Sequence, residues 1–427
     1  TAPSIDARRT QWSSGLRGYV LGALCAVAML NFLDRQIIAI LLESIKQDLG
    51  ATDTEMGLLS GLAFAIFYVT AGIPLARIAD TGVRRSLIAG CLCVWSLMTA
   101  LSGLAQSFMQ LALARIGVAA GESGAQPAMQ SMIADMYPPA ERGGAVGLVN
   151  GAQTIGIGLG LFLGGWLNHF FGWRAVFLIV GLPGVILAIV IRLTVPEPTR
   201  GGQELVATKA RKEPLRKVIR RIWDTPSARA VILGIGFSSM TGYALFAWMP
   251  SFLIRVHGLD TTTVGLIVGV SIAVGQPIAN IGSGFIADRL GRRDMRWYAW
   301  ISVIGAFAAI LPVVGCVTLE NTALAVVCFF LFNVATGSIH APGYALMMAL
   351  VPSDNRATSA FMAQLSQNLL GIAVGPFMVG ILSDLFRPAF GAAGLGFALI
   401  SSTIGVIVGG LLFLHLARIL RNDLREI

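Results

Sequence analysis

The segment GFIADRLGRR, residues 284–293, ends a long apolar stretch, and ARIADTGVRR, residues 76–85, ends another about 210 residues earlier. In both segments an aspartate stands five residues before the final arginine. Two more pairs keep the same order and offset: PPAERG from Pro138 with PSDNRA from Pro352, and GIGLGLFLGGW from Gly156 with GIAVGPFMVG from Gly371. Three ordered matches at one offset predict a duplicated unit. In membrane proteins such repeats are typical of transporters with a site between the halves.

The apolar stretches around these segments are long and numerous. Hydrophobic residues make up 55% of the 427 residues and charged residues only 12%, whereas soluble domains carry about 25% charged residues. Backbone groups find no water inside a bilayer, so apolar spans of about 20 residues are helices. We predict an all-α membrane protein with twelve transmembrane helices in two pseudo-symmetric six-helix bundles, near residues 18–42, 55–79, 86–105, 108–134, 143–170, 174–195, 228–254, 262–287, 297–318, 321–350, 357–385 and 392–417.

The basic residues gather on one side of the predicted spans. Arginines follow the second, eighth and twelfth spans, whereas the loops on the other side are poor in basic residues. This pattern predicts a multi-pass protein of the cell inner membrane with both termini in the cytoplasm. It also accounts for the net charge of +9 without a nucleic-acid partner. The first span is too long for a cleavable signal peptide.

One long polar segment separates six spans from six. We therefore predict an N-terminal bundle at 1–195, a cytoplasmic basic linker at 196–227 and a C-terminal bundle at 228–427. Within the linker, apolar residues recur with helical spacing opposite a basic face: Leu215, Val218, Ile219 and Ile222. The spacing predicts a short amphipathic helix on the inner leaflet, with a solvated linker as the alternative. The five cysteines lie inside spans without a nearby His or second Cys pair, so we expect no metal site.

Twelve spans in two sixes, a basic central loop and G-x-x-x-D-R-x-G-R-R after the eighth span resemble the major facilitator superfamily. The copy at residues 76–85 departs from that motif at its first glycine. Within the superfamily, three segments resemble the spinster-like branch: NFLDRQ from Asn31, ARIGVAAGESGAQPAMQSMIADMYPPAERG from Ala114, and FGWRAVFLIVGLPGVILAIVIRLTVPEP from Phe171. The resemblance implies proton-coupled movement of lysolipids or sphingoid lipids.

Charged residues interrupt two spans of the first half. Asn31, Asp34 and Arg35 share one flank of the first span, and Arg115 and Glu122 lie two turns apart on the fourth. The resemblance implies that both helices line the central cavity. Ions inside a membrane are costly unless they are paired or hydrated, so intramembrane charges indicate function.

The chemistry of these residues assigns them roles. Arginine keeps its proton, so Arg35 and Arg115, with Asn31, are predicted to bind substrate. Asp34 and Glu122 can alternate between pairing with arginine and carrying a proton, so we predict them as proton-coupling residues. The alternative is a permanent salt-bridge network that only orients the bundle.

The second half carries fewer polar candidates. We predict His340, Tyr344, Trp248 and Asn368 as substrate-binding residues, and Gln364 lies one turn before Asn368. A charged first half and an otherwise apolar second half suit an amphiphilic substrate. We also predict a cytoplasmic gate whose ion pairs break as that side opens, made by Asp80, Arg84, Arg85, Asp288, Arg289, Arg292 and Arg293.

The sequence thus predicts a monomeric secondary transporter, working by alternating access, for a lipid or amphiphilic small molecule. Its energy source is the proton gradient, and no cofactor is expected. A proton-coupled carrier of organic anions or drugs remains an alternative within the same superfamily. A membrane-embedded enzyme is a remote alternative, because no G-x-S-x-G, H-E-x-x-H or P-loop motif occurs and no catalytic residue is predicted. A channel is disfavoured by the two-fold repeat and the buried ions.

Overall fold

The computed structural model describes residues 13–199, 215–351 and 355–426, and every long element in these ranges is helical. Residues 200–214 of the predicted linker lie outside the described ranges. The helices of the first sequence half are α1 (Ser14–Leu49), α2 (Asp53–Thr81), α3 (Arg84–Ser102), α4 (Phe108–Glu122), α5 (Ala125–Met136) and α6 (Pro139–Thr194). Those that follow are α7 (Leu215–Asp224), α8 (Pro226–His257), α9 (Thr261–Gly291), α10 (Arg296–Ala308), α11 (Ile310–Thr318), α12 (Thr322–Ala349), α13 (Arg356–Ser366), α14 (Gly375–Phe390), α15 (Gly394–Ser401) and α16 (Ile404–Glu426).

The twelve predicted spans are found in these helices. Nine helical stretches of the described ranges are long and apolar enough to cross a membrane. Two of them hold two spans each, because Gly172 and Gly391 adopt positive φ angles of 75° and 57° and turn the chain. The fourth span is divided between α4 and α5. The all-α membrane fold predicted from hydropathy is therefore confirmed.

The helices form two compact units. The described residues of the first unit lie within Thr1–Ile45 and Ile66–Ala210, and those of the second within Lys46–Ala65 and Arg211–Ile427. The segment 46–65, which belongs to the first half of the sequence, thus packs in the second unit. The sequence pattern divides the chain at the linker, and nothing in it indicates that residues 46–65 pack with the second half.

The glycine-rich runs of the repeat have the same task in each unit. In the first unit, a Cβ at Gly160 of α6 would lie 2.7 Å from the carbonyl oxygen of Leu33 in α1. In the second unit, a Cβ at Gly375 of α14 would lie 2.4 Å from the carbonyl oxygen of Met240 in α8. Both distances are too short for any side chain, so glycine lets these helices approach to backbone contact.

Two π-helical segments pack against each other in the second unit. One, Leu58–Leu62, lies within α2, and the other, Gln367–Val374, joins α13 to α14. A Cβ at Gly61 would lie 2.9 Å from the carbonyl oxygen of Ile372. π-Helical segments are rare in proteins, and those that occur are often found at functional sites.

The amphipathic segment of the linker is helical in the structure, as α7. Val218 and Ile222 are buried in the second unit, whereas Ile219 and Trp223 are exposed. Arg220 pairs with Asp224 one turn on, at the surface. The helix therefore has a packed apolar stripe and an outward face that carries Ile219, Trp223 and Arg220.

Candidate functional site

Five polar side chains lie together inside the first unit, on two helices. α1 carries Asn31, Asp34 and Arg35, and α4 carries Arg115 and Glu122. All but Arg35 are buried; only 2% of Asp34 and 1% of Glu122 is exposed. We call these five residues the first-unit cluster. The sequence predicted this group, and the structure brings its members together.

The centre of the first-unit cluster is an ion pair between α1 and α4. Arg35 Nη2 donates to Glu122 Oε2 at 2.7 Å, and Arg35 Nε donates to the same oxygen at 3.2 Å. The guanidinium also lies 5.2 Å from the ring centre of Phe32 and 5.0 Å from that of Tyr68. Aromatic rings on either hand hold an arginine by cation–π attraction. The sequence did not indicate Tyr68 as a site residue, because no charged residue lies near it in α2.

The two acids of the first-unit cluster each keep one oxygen without a hydrogen bond. Asp34 Oδ2 accepts from the Thr99 hydroxyl at 3.2 Å, whereas Asp34 Oδ1 is enclosed and bonds to no described residue. Glu122 Oε1 is enclosed in the same way. Arg115 and Glu122 lie close enough to Asp34 to interact electrostatically. A buried carboxylate oxygen without a donor is costly while it is charged, and protonation removes that cost.

Three glycines bring α4 onto α3 and so place these acids. A Cβ at Gly117, Gly121 or Gly124 would lie 2.6 to 2.8 Å from Met98, Trp95 or Cys91 respectively. These distances leave no room for a side chain, so the glycines let the two helices pack closely. Because α3 also carries Thr99, the same contact surface brings the hydroxyl to Asp34.

Trp248, predicted to bind substrate, packs inside the second unit. Its side chain is fully buried, and its Nε1 donates to the carbonyl oxygen of Pro376 at 2.9 Å. Pro376 lies in the first turn of α14. The indole thus ties α8 to α14 and is not open to a substrate in this structure. The predicted binding role of Trp248 stays a prediction.

The other predicted residues of the second unit lie on α12 and at the start of the second π segment. The Tyr344 hydroxyl donates to Gln367 Oε1 at 3.1 Å and lies 3.4 Å from Gln364 Oε1. Gln364 Nε2 donates to Asn368 Oδ1 at 3.1 Å. His340 lies one turn before Tyr344, and its Nδ1 is enclosed without a partner among the described residues. Gln364 therefore links Tyr344 to Asn368, and Gln367 contacts the same phenol.

The predicted gate arginines of the first half make their contacts inside the first unit. Arg84 is buried and donates to the Asp135 carboxylate, to Glu197 Oε1 at 2.9 Å and to the Pro198 carbonyl at 2.7 Å. Arg85 donates to the Val195 carbonyl at 3.1 Å. In this structure Arg84 and Arg85 fasten the start of α3 to α5 and to the segment at the end of α6, and their predicted role in a gate stays a prediction. Their partners are distant in sequence, which is why spacing gave no hint of them.

The remaining gate residues are exposed. Asp288 accepts a hydrogen bond from the Tyr298 hydroxyl at 2.7 Å. Asp80, at the end of α2, is exposed as well. The same holds for the arginines that follow α9, namely Arg289, Arg292 and Arg293. Their role in a gate stays a prediction.

A second group of buried charges was not predicted. Asp53, at the start of α2, is 1% exposed and accepts from Lys46, Arg255 and Ser383. Arg255 binds it with both terminal nitrogens, Nη1 to Oδ2 at 2.8 Å and Nη2 to Oδ1 at 2.7 Å. Lys46 Nζ and Ser383 Oγ each donate to it at 2.7 Å. We call Lys46, Asp53, Arg255 and Ser383 the second-unit cluster.

Asp384 completes this arrangement from α14. Its carboxylate accepts from the backbone N–H of Thr54 at 2.7 Å and from that of Asp53 at 3.2 Å. It therefore caps the first turn of α2, where backbone donors are otherwise unsatisfied. The sequence held one signal of this, because Asp384 is a single charge at the end of a predicted span. Asp53 itself looked like an ordinary loop residue.

Comparison with known proteins identifies this architecture. The family model of the Major Facilitator Superfamily matches residues 24–376. The chain belongs to the major facilitator superfamily. A Mycolicibacterium smegmatis relative named as an MFS-type efflux pump is 34% identical over 408 residues, which cover 95% of this chain and 94% of the relative. The probable L-galactonate transporter of Escherichia coli K12 is 27% identical and covers 81% of each chain.

A solved structure narrows the likeness within the superfamily. A bacterial homologue of the human lysosomal transporter Spinster, crystallised in an inward-facing and unoccupied conformation, matches with a TM-score of 0.90. The two chains are 28% identical, and the match covers 96% of this chain and 99% of the other. This member of the superfamily is therefore spinster-like, and a transporter rather than an enzyme.

Proposed function

We propose that this transporter is a proton-coupled secondary carrier that moves an organic anion by alternating access. The favoured cargo is an anionic or zwitterionic amphiphile, such as a lysophospholipid or a sphingoid lipid. The observation that carries the proposal is the Arg35–Glu122 ion pair, in which one carboxylate oxygen is bound and the other is not. A pair of this kind can exist in two states that differ by one proton.

The proposed coupling step is an exchange of partners at Glu122. A proton that binds Oε1 neutralises the carboxyl group and weakens its hold on Arg35. Arg35 keeps its charge, because arginine does not lose its proton in proteins. It then binds the anionic group of the substrate in place of Glu122. When the proton leaves, the ion pair re-forms and the substrate anion is displaced.

Asp34 is proposed as the second proton site. It lies beside Glu122 and Arg115, and its Oδ1 has no donor among the described residues. Two neighbouring acids share the attraction of the same arginines, so protonation of one changes the affinity of the other for a proton. Arg115 supplies a fixed positive charge that favours an anion in the same region.

The choice of an amphiphile rests on the spinster-like character of the chain. A carrier of small organic acids is the second candidate, and one observation favours it: a relative of similar length is named as a probable L-galactonate transporter. Both candidates use the same arginines. The proposal further places the protein in a cell inner membrane with cytoplasmic termini, as a monomer driven by the proton gradient without a cofactor.

The test is transport by purified protein in liposomes with an imposed pH gradient. The cargo is a fluorescent lysophospholipid, with an aromatic carboxylate in a parallel series. We expect the wild-type protein to move lipid at least tenfold faster with the gradient than without it. Glu122→Gln keeps the shape of the side chain but cannot take up a proton, so its rate should no longer depend on the gradient.

Glu141→Gln is the matched control, because Glu141 is an exposed acid outside the first-unit cluster. It should behave as the wild type. If the protein moves the carboxylate and not the lipid, the second candidate, a carrier of small organic acids, replaces the first. Equal lipid movement with and without a gradient would disprove the coupling and leave the first-unit cluster as a structural salt bridge.

A further inference from the structure

The second half of the chain was predicted to be largely apolar, yet the second unit contains a group of uncharged polar side chains. Tyr344 lies on α12, and Gln364, Gln367 and Asn368 follow one another on α13 and the π segment. We call these four residues the neutral cluster. Gln364 is exposed and the other three are half-buried. Their spacing of three and one places the three amides on the same face of the helix.

Each amide oxygen of the neutral cluster lies within hydrogen-bond distance of another member of the cluster. The Tyr344 hydroxyl donates to Gln367 Oε1 and lies 3.4 Å from Gln364 Oε1, and Gln364 Nε2 donates to Asn368 Oδ1. No described residue accepts a hydrogen bond from the NH₂ groups of Gln367 and Asn368. The phenol oxygen of Tyr344 likewise keeps its capacity to accept. The cluster therefore presents amide donors beside a phenol acceptor.

The neutral cluster lies in helices predicted to span the membrane, and this position indicates the environment of its side chains. Polar side chains exposed to hydrocarbon are costly, so those within spans face protein or a water-filled cavity. Four of them in one network, partly exposed, indicate a wet surface. The π-helical geometry of Gln367–Val374 supports a functional role for this surface. His340, one turn before Tyr344, adds an enclosed Nδ1 without a described partner.

We propose that the neutral cluster binds hydroxyl groups of the transported substrate, which therefore carries a polyol portion beside its negative charge. A hydroxyl group both donates and accepts, and so matches amide donors next to a phenol acceptor. A carboxylate or phosphate only accepts, and it is attracted more strongly by arginine. This inference rests on the proposed function, because it describes the uncharged part of the same cargo. The polyol can belong to a lipid headgroup or to a free hydroxy acid.

The experiment uses two matched pairs of ligands that differ in hydroxyl groups. Lysophosphatidylglycerol and lysophosphatidic acid of equal chain length form the lipid pair, and gluconate and hexanoate form the free-acid pair. Binding to the full-length protein in detergent is measured by thermal stabilisation, which does not require transport. We expect the hydroxylated member of at least one pair to bind tenfold or more tightly. A preference in the lipid pair alone identifies a headgroup, and one in the acid pair alone a free acid.

The variants are Gln367→Met and Asn368→Leu, which keep size and remove the donors. Each should reduce the affinity for the hydroxylated member about fivefold, the loss expected for one hydrogen bond, and leave its partner unchanged. Gln276→Met is the control, because Gln276 lies in α9 and its amide lies near Asn333.

Three results would overturn the inference: no preference in either pair, an equal loss for both members, or an equal effect of the control. Failure of the proposed function has a different signature. In that case transport does not respond to a pH gradient, while the binding preference for hydroxyl groups persists.

Discussion

The first-unit and second-unit clusters contain the same chemistry, yet they treat their acids differently. In the second-unit cluster, Asp53 is enclosed and each of its oxygens accepts at least two hydrogen bonds. In the first-unit cluster, Asp34 and Glu122 are equally enclosed, but each has an oxygen that meets no described donor. A fully bonded buried carboxylate is held in its charged form. A partly bonded one can change its protonation state. We therefore call the second-unit cluster the lock and contrast it with the proposed coupling site, the first-unit cluster.

The largest effect is expected from removing the acid of the lock. Asp53→Asn leaves Arg255 and Lys46 without a counter-charge in a buried place, so we expect a loss of about 3–5 kcal/mol in the free energy of unfolding. Glu122→Gln should cost less, about 1–2 kcal/mol, because the amide oxygen can still accept from Arg35 and the other oxygen of Glu122 already lacks a donor. Thermal unfolding in detergent, followed by tryptophan fluorescence, compares the two variants. Equal losses would erase the distinction between the clusters.

A smaller effect is expected when the base of the coupling site is removed. Arg35→Met leaves Glu122 charged and buried, so we expect a loss of about 2–3 kcal/mol. The double variant Arg35→Met/Glu122→Gln should recover most of it, since the second change removes the stranded charge. The corresponding double variant of the lock, Arg255→Met/Asp53→Asn, should recover less because Lys46 stays behind. Full recovery in both clusters would contradict this comparison.

The smallest effect concerns the edge of the second-unit cluster. Trp248 hydrogen-bonds to Pro376, and its ring centre lies 5.9 Å from the Arg255 guanidinium. Trp248→Phe removes the hydrogen bond and keeps an aromatic ring, so we expect a loss of about 1 kcal/mol. The ligand preferences of the transporter should stay as in the wild type, because the indole is enclosed. If ligand affinity changes and stability does not, the result supports the predicted substrate-binding role of Trp248.

The sequence predicted best what depends on local pattern. Hydropathy located the twelve spans, and helical spacing placed Asp34 beside Arg35 and Arg115 two turns from Glu122. These features need only neighbours in sequence, or a repeat that the chain itself displays.

The contacts that the sequence did not predict join residues far apart in the chain. Arg84 bonds to Asp135 and Glu197, and Asp53 bonds to Arg255 and Ser383. Each partner alone resembles an ordinary loop or helix-end charge, so no spacing rule joins them. The π segments are equally hidden, because their residues have no composition that distinguishes them from an α-helix.

The placement of residues 46–65 in the second unit has a practical consequence for protein engineering. A chimaera joined at the central linker would take Asp53 from one protein and Arg255 and Asp384 from the other. A donor half with different residues at these three positions would leave charges unmatched at the start of α2. The exchangeable module is therefore discontinuous: residues 46–65 have to travel with the second half, and a junction drawn by counting helices would misplace them.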